Sequence, residues 1–372
     1  MRKIKVALQQ RVIPNYRVPF FEKLGLRPEI ELSIFSGLPR PNEMVSTADV
    51  IKNVEFVQTQ NIHLLNQSFY ICLQPEIHQW LKDFDPDIVI FEANPRYLSS
   101  KKAIHWIKKT NKGLIGWGLG VPSHKNILDG LLSHSRNKFL NKFDGLIAYS
   151  NQGRQQYIQS GIDERKVFVA PNSTVPRPVN PPPERKSGFQ KDPPILLFVG
   201  RLQTRKRIDS LIRICSRLPI DTLPELWIVG DGPILQELKD YAQNIYPRTT
   251  FWGGQFGEKL EEIFKKADLF VMPGTGGLAI QQAMSFGLPV IVAEGDGTQS
   301  NMVFPENGWS ITPNNEEILY STVEKALSDP VKLLEMGYHA YETIKNLANI
   351  DVMADVFIKT IIYVNRLKNS DE

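Results

Sequence analysis

Cysteine is scarce in this 372-residue chain: there are only Cys72 and Cys215, far apart and without a CxxC spacing. That excludes a disulfide framework, offers no thiolate set for zinc, and suits a reducing cytoplasm. Histidine is also sparse, with six in all, and neither His124 nor His134 has the spaced Cys, His or carboxylate partners that mark a metal site. Structural roles are expected for both, and no metal. Long apolar runs are missing as well. Nothing approaches the ~20 residues that cross a bilayer, and the start MRKIKVALQQ passes from basic residues into a short strand without the apolar core of a leader peptide. Disorder is excluded too, because 42% hydrophobic and 23% charged residues are the proportions of ordinary folded domains.

What is present is organised in two halves. Residues 1–172 hold 23 Lys/Arg against 15 Asp/Glu, a balance of +8, whereas residues 173–372 hold 21 against 25, a balance of −4. A basic first half suits anionic lipid, a phosphorylated acceptor or nucleic acid, although a solvated surface gives the same count. Between the halves, PRPVNPPPERKSGFQKDPP (176–194) is proline-dense and polar and reads as a linker. On either side, short apolar strands alternate with helical segments. This predicts an α/β protein of two doubly wound domains facing across a cleft. The expected boundaries are 1–172, a linker over 173–194, 195–345, and a final helical stretch over 346–372 that can return to the first domain.

Within the first half, strands are expected at 3–9, 31–35, 88–91, 114–117, 143–149 and 167–170, and a less regular pair at 54–58 and 69–73. Ligands of open α/β sheets lie beyond the carboxyl ends of strands. The turn after the first strand, with Asn15, Tyr16 and Arg17, is therefore a candidate acceptor loop, as are Asn94 and Arg96 after Glu92, and Trp117 as a floor. Glu92 pairing with Arg96 is the structural alternative. The basic segment KKAIHWIKK within 99–109 is a candidate for a membrane surface, with a plain solvated helix as its alternative.

The second half turns on VMPGTGGLAIQQAMSFGLPVIVA, residues 271–293. An apolar strand enters Pro273-Gly274-Thr275-Gly276-Gly277, which cannot extend it, and a helix opens at Leu278 and stops at Gly287. Bare backbone at a helix start, with its partial positive charge, suits phosphate. The strand at 195–199 ends in Gly200, and Arg201 and Lys206 follow as two cations where a phosphate would lie. Pairing with Asp209, or capping of carbonyls, is their alternative role. Beyond Ala293 comes a third polar loop with Asp296, Thr298 and Gln299.

Four segments, FVGRLQTRK (198–206), IVGDGP (228–233), ADLFVMPG (267–274) and AMSFGLPVI (283–291), resemble the retaining glycosyltransferases of family 4, of GT-B fold, in order and spacing. The first half, with PNYRVPFF (14–21), PDIVIFEANPR (86–96), WGLG (117–120) and FDGLIAYS (143–150), is similar to members that build surface polysaccharides. The resemblance implies a nucleotide-sugar in the second domain and a glycan or lipid-linked acceptor in the first, with no nucleic acid and no separate cofactor. It implies that Arg201 and Lys206 neutralise the donor diphosphate, while N–H groups of Gly276, Gly277 and Leu278 hold its distal phosphate without a metal. It also marks a departure. The family's two glutamates, eight positions apart, are here Gly274 and Gln282, and a third stands as Asn301. Thr275, Asp296, Thr298 and Gln299 are the expected replacements in sugar recognition. A retaining hexosyltransferase in the cytoplasm, or at the inner face of the membrane, is the leading expectation; a non-catalytic GT-B scaffold subunit and a sugar-nucleotide epimerase are the alternatives.

Overall fold

The computed structural model describes residues 2–43, 45–65, 70–121, 127–185, 189, 193–295 and 297–370. Two compact units emerge, Met1–Pro176 with Ile350–Glu372, and Arg177–Asn349.

In the first unit a seven-stranded parallel sheet runs in the order β3 (Glu55–Thr59), β2 (Ile30–Gly37), β1 (Ile4–Gln10), β6 (Ile88–Glu92), β7 (Gly113–Gly118), β8 (Gly145–Ala148), β9 (Val167–Val169). Strand alternation sends residues to two separate cores. Val6, Leu8, Ile88 and Ile90 face one, and Ala7, Val89 and Phe91 the other. The first core is covered by α1 (Val18–Gly25) and α12 (Ile350–Asn369), the second by α2 (Ile77–Phe84), α3 (Leu98–Lys109), α4 (Ile127–Leu140) and α5 (Asn151–Gln159).

The reason α12 belongs to this unit is its apolar stripe. Met353, Phe357, Ile361 and Val364 recur at helical spacing and are fully shut from solvent. Phe357 meets the rings of Phe20 and Trp117, each at 5.0 Å between centroids. Glycines in β7 and β8 let the helix come close: a β-carbon at Gly113 would stand 2.7 Å from Val364 Cγ1, and one at Gly145 3.0 Å from Cγ2. Each side chain so buried is worth roughly 1.5–3 kcal/mol. The helical run expected at the C-terminus is broken before α12. The preceding α11 (Pro330–Asn346) ends where the Asn349 amide donates to the carbonyls of Ile344 (2.8 Å) and Lys345 (2.9 Å).

The two less regular strands expected near 54–58 and 69–73 both form, in different sheets. β3 joins the main sheet beside β2, and β5 (Ile71–Leu73) pairs antiparallel with β4 (Ile62–Leu64), a strand too short to read from periodicity. The basic helix α3 buries Ala103, Ile104 and Ile107 in the second core. Its apolar side is thereby used inside the fold and cannot face lipid. Among the described residues no helix is long and apolar enough to cross a membrane.

The second unit holds six parallel strands in the order β12 (Thr249–Gly253), β11 (Glu225–Val229), β10 (Ile195–Val199), β13 (Leu269–Met272), β14 (Val290–Ala293), β15 (Gly308–Ile311). Every residue of β10, β13 and β14 is buried, as in strands covered on both faces. The proline-dense segment after Pro176 is strapped onto this unit. Arg185 donates to the carbonyls of Phe264 (3.2 Å), Phe286 (3.1 Å) and Ala267, at the ends of α8 (Gly257–Lys266) and α9 (Ala279–Ser285). Its guanidinium therefore sits where two helix dipoles are negative. Burial pushes its pKa down to about 10.

Each sheet reverses its strand order once in the middle, between β1 and β6 in one unit and between β10 and β13 in the other. Beyond the carboxyl ends at such a reversal, the flanking connections diverge and leave a crevice.

Candidate functional sites at the two strand reversals

In the second unit the reversal brings two distant sequence segments together. After β10, the Gly200 N–H donates to the Val229 carbonyl (2.9 Å), and the exposed Arg201 follows. A tight turn over Thr204–Lys206 then ends at Arg207, which adopts a left-handed φ of 55°. That turn lies against the glycine segment after β13. The Lys206 ammonium, buried at 6% exposure, donates to the carbonyls of Thr275 (2.7 Å) and Gly276 (2.9 Å). The Thr275 N–H returns a bond to the Arg205 carbonyl at 3.2 Å. Arg205 reaches the Thr275 hydroxyl at 3.5 Å and Gln203 at 3.0 Å. Capping of carbonyls, the alternative role expected for these cations, is what Lys206 does here, and Asp209 stands 3.8 Å from Arg207 and 3.7 Å from Arg213.

The glycines are what this turn requires. Gly276 and Gly277 hold φ of 72° and 154°, where a side chain is strained. A β-carbon on Gly274 would stand 2.3 Å from the Arg205 carbonyl oxygen and 2.5 Å from Lys206 Cα. With its carbonyls turned toward Lys206, the segment leaves the N–H groups of Gly276, Gly277 and Leu278 without a backbone acceptor among the described residues. Leu278 is the N-cap and α9 starts at Ala279, one residue later than expected. A β-carbon on Gly276 would stand 3.8 Å from Lys206 Nζ and 3.9 Å from Arg205 Nη1, so these N–H groups lie close to two cations.

Of the other expected donor residues, Gln282 is half-buried on α9, and Thr298 and Gln299 follow β14, the strand beside β13. Gln299 is 3% exposed, with its amide oxygen lacking a hydrogen-bond partner among the described residues. Asp296 and His124 lie outside the described residues. The reading from sequence passed over Arg205, one of three cations in the run TRKR, and Gln281, which is 1% exposed on α9.

The first unit distributes the expected acceptor residues differently. Arg17 is a buried tie, donating to the Ser173 carbonyl (3.0 Å) and the Asn172 side chain (2.5 Å) and touching the Met353 sulfur at 3.8 Å. Trp117 is 1% exposed and packed among Phe20, Phe21, Tyr149 and Phe357, so it is core and not a floor. Asn15 and Tyr16 are exposed. Asn94 caps the Arg96 N–H at 3.1 Å, and Arg96 itself is exposed. His134 is exposed on α4, and among the described residues no group of His, Cys, Asp or Glu is placed to hold a metal.

Beyond β1 and β6, Glu92, which the sequence reading placed at the end of its strand, is brought together with Arg11 and Glu43, which it did not select. Glu92 accepts from the Arg11 N–H at 3.0 Å instead of pairing with Arg96, and the Arg11 guanidinium holds both oxygens of Glu43 at 3.0 and 2.9 Å. Burial pushes the Glu92 carboxyl up to about 7, against the opposing pull of Arg11 and Tyr97. Arg11 following β1 and Glu92 ending β6 were the available signal, once the reversal between these strands is known.

Comparison with known proteins gives the family context. Residues 181–343 match the family model of the glycosyl transferases group 1. The chain is 31% identical over 150 residues to an uncharacterised glycosyltransferase of Methanocaldococcus jannaschii, covering 39% of this chain and 38% of that protein. It is 30% identical over 153 residues to the sulfoquinovosyl transferase of Arabidopsis thaliana, covering 39% and 29%. The matched part thus spans well under half of these two relatives. A lipopolysaccharide 1,6-galactosyltransferase of Salmonella typhimurium is 26% identical over 267 residues, covering 68% of this chain and 69% of that one. Among solved structures, a lipopolysaccharide outer core galactosyltransferase superposes with a TM-score of 0.72 at 19% identity, covering 97% and 99% of the two chains. An Anabaena protein in complex with UDP gives 0.71 at 14%, covering 97% and 100%. These likenesses establish the GT-B fold of two parallel-sheet domains.

Proposed function

Taking the group 1 match over residues 181–343 as the premise, we propose that the chain is a glycosyltransferase that moves a sugar, with retention, from a nucleoside-diphosphate sugar to a hydroxyl of a glycan or lipid-linked glycan. The observation that carries this is the cradle at the second strand reversal. Lys206 holds the Thr275 and Gly276 carbonyls, which leaves the N–H groups of Gly276, Gly277 and Leu278 for a phosphate.

The chemistry follows from charge. Breaking the glycosidic bond leaves a nucleoside diphosphate whose negative charge grows in the transition state, and fixed N–H donors and cations aimed at it lower the barrier. Arg201 and Lys206 are assigned to that charge, with Arg205 beside them. Glutamate is absent at 274 and 282, so sugar contacts fall to Thr275, Asp296, Thr298 and Gln299, and Gln282 is assigned to the nucleotide ribose. For retention, the departing phosphate takes the acceptor proton on the face it leaves. The bond to the acceptor oxygen forms as the bond to phosphate breaks, without a side-chain nucleophile and without a divalent metal.

A panel of nucleotide-sugars tests the proposal. Incubation with the purified chain, with and without chelator, is expected to release nucleoside diphosphate from one donor class. With an acceptor present, proton NMR is expected to show a product of the donor's anomeric configuration. Inverted product would end the retaining assignment, chelator-sensitive turnover the metal-independent one, and no turnover with any donor the enzyme itself.

A further inference from the structure

The crevice at the strand reversal of the first unit holds more positive charge than its carboxylates neutralise. Arg11 is spoken for by Glu43, which also accepts the Arg40 N–H at 3.0 Å. These bonds overcome burial and hold Glu43 below the usual carboxylate range. The Arg40 guanidinium is different. It lies over the Tyr70 ring at 4.4 Å, its Nε and Nη2 are shut from solvent without an acceptor, and no carboxylate pairs with it among the described residues.

Beside Arg40 stands His63, whose Nδ1 is 2.9 Å from the Tyr70 hydroxyl. Burial and the charges of Arg40 and Arg11 hold its pKa below the usual value, so the ring is neutral at pH 7. The other ring nitrogen, Nε2, is buried, and the Leu38 carbonyl lies against the ring. The backbone around this group is fixed. Asn61 donates to the carbonyls of Arg11 (2.7 Å) and Leu38 (2.8 Å), and the Gly37 N–H to Arg11 (3.0 Å). A guanidinium edge left buried without an acceptor is costly, and a bound oxyanion removes that cost.

We propose that this crevice is a second anion site, in which Arg40, flanked by Arg11 and His63, binds a phosphate or carboxylate group carried by the acceptor. The word acceptor rests on the transferase reading above; the anion site does not. A forked guanidinium stacked on an aromatic ring is suited to a planar or tetrahedral oxyanion, and a lysine cannot reproduce the fork.

The test is calorimetric titration of the full chain with inorganic phosphate, with nucleoside diphosphates, and with glucuronate as the carboxylate probe. R40Q is expected to bind phosphate at least tenfold more weakly, and R40K to fall between, with nucleoside diphosphate affinity unchanged. K206A is expected to show the reverse. Melting curves and circular dichroism confirm that R40Q remains folded. Phosphate and glucuronate binding in R40Q equal to wild type overturns the proposal. The source of the anion is read separately, by comparing KM for a phosphorylated or uronic-acid acceptor with that for its neutral counterpart. If R40Q raises KM only for the acidic one, the group belongs to the acceptor; equal effects on both overturn the acceptor assignment and leave a site for free anion. Binding is measured without turnover, so failure of the transferase reading leaves the anion test intact.

Discussion

Gly274 lies so close against the Arg205–Lys206 backbone that a β-carbon on it would stand 2.3 Å from the Arg205 carbonyl oxygen. The position where the family resemblance implies a glutamate has therefore no space for any side chain here. We expect G274A to displace the turn, lowering nucleoside-diphosphate affinity at least tenfold, and G274E to be worse instead of restoring a family-like site. Q282E, on a half-buried surface of α9, is expected to be tolerated. Calorimetry on the three variants checks this, and a G274E protein binding as tightly as wild type would refute the steric account.

Arg201 and Lys206 are expected to separate by what they do to the fold. Lys206 is buried and hydrogen-bonded to two carbonyls, so K206A is expected to cost about 1.5–3 kcal/mol as well as donor binding. Arg201 is exposed, and R201A is expected to change stability by less than about 0.5 kcal/mol. Its cost should appear in kcat, at about a hundredfold, the scale of one lost contact to developing charge. Denaturant unfolding and steady-state kinetics on both variants distinguish the roles.

The Glu92 carboxyl gives a stability profile with an unusual sign. Its pKa rises from the ordinary 4.5 to about 7 on folding, with burial the dominant cause. Between those values the folded chain keeps a proton that the unfolded chain has released, so this group's contribution falls as pH rises through the window. The difference is of the order of 3 kcal/mol across it. E92Q, which still accepts from the Arg11 N–H, is expected to flatten that part of the profile. Urea midpoints from pH 4.5 to 8 for both proteins measure it; equal slopes would count against a raised pKa.

Arg185 fastens the proline-dense strap across the ends of α8 and α9 by three carbonyls. R185A is expected to destabilise the chain by about 1.5–3 kcal/mol, and R185K to recover only part, since one ammonium cannot span three acceptors. Limited proteolysis within 177–185 should accelerate in R185A. A variant as protease-resistant as wild type would show that other contacts hold the strap.

Local chemistry was legible where it depends on neighbours in the chain. The buried strands 195–199, 269–272 and 290–293 could be placed from continuous apolar runs, and the glycine turn from residues that tolerate positive φ. The short β4 was not legible, because three residues carry no period. Trp117 was misread as a floor because a tryptophan at a strand's end looks the same whether it meets solvent or, as here, Phe20 and Phe357.

By itself the sequence determined the two α/β blocks, the cationic turn and the glycine turn, since each is a property of adjacent residues: period, backbone freedom, charge. Only the tertiary structure decided which distant groups meet. It turned Lys206 onto the Thr275 and Gly276 carbonyls, put α12 against β7 and β8 of the first unit, and gathered Arg11, Arg40, Glu43 and Glu92 in one crevice. Those meetings follow from strand order, which is set by burial of both sheet faces at once and leaves no mark at any single position.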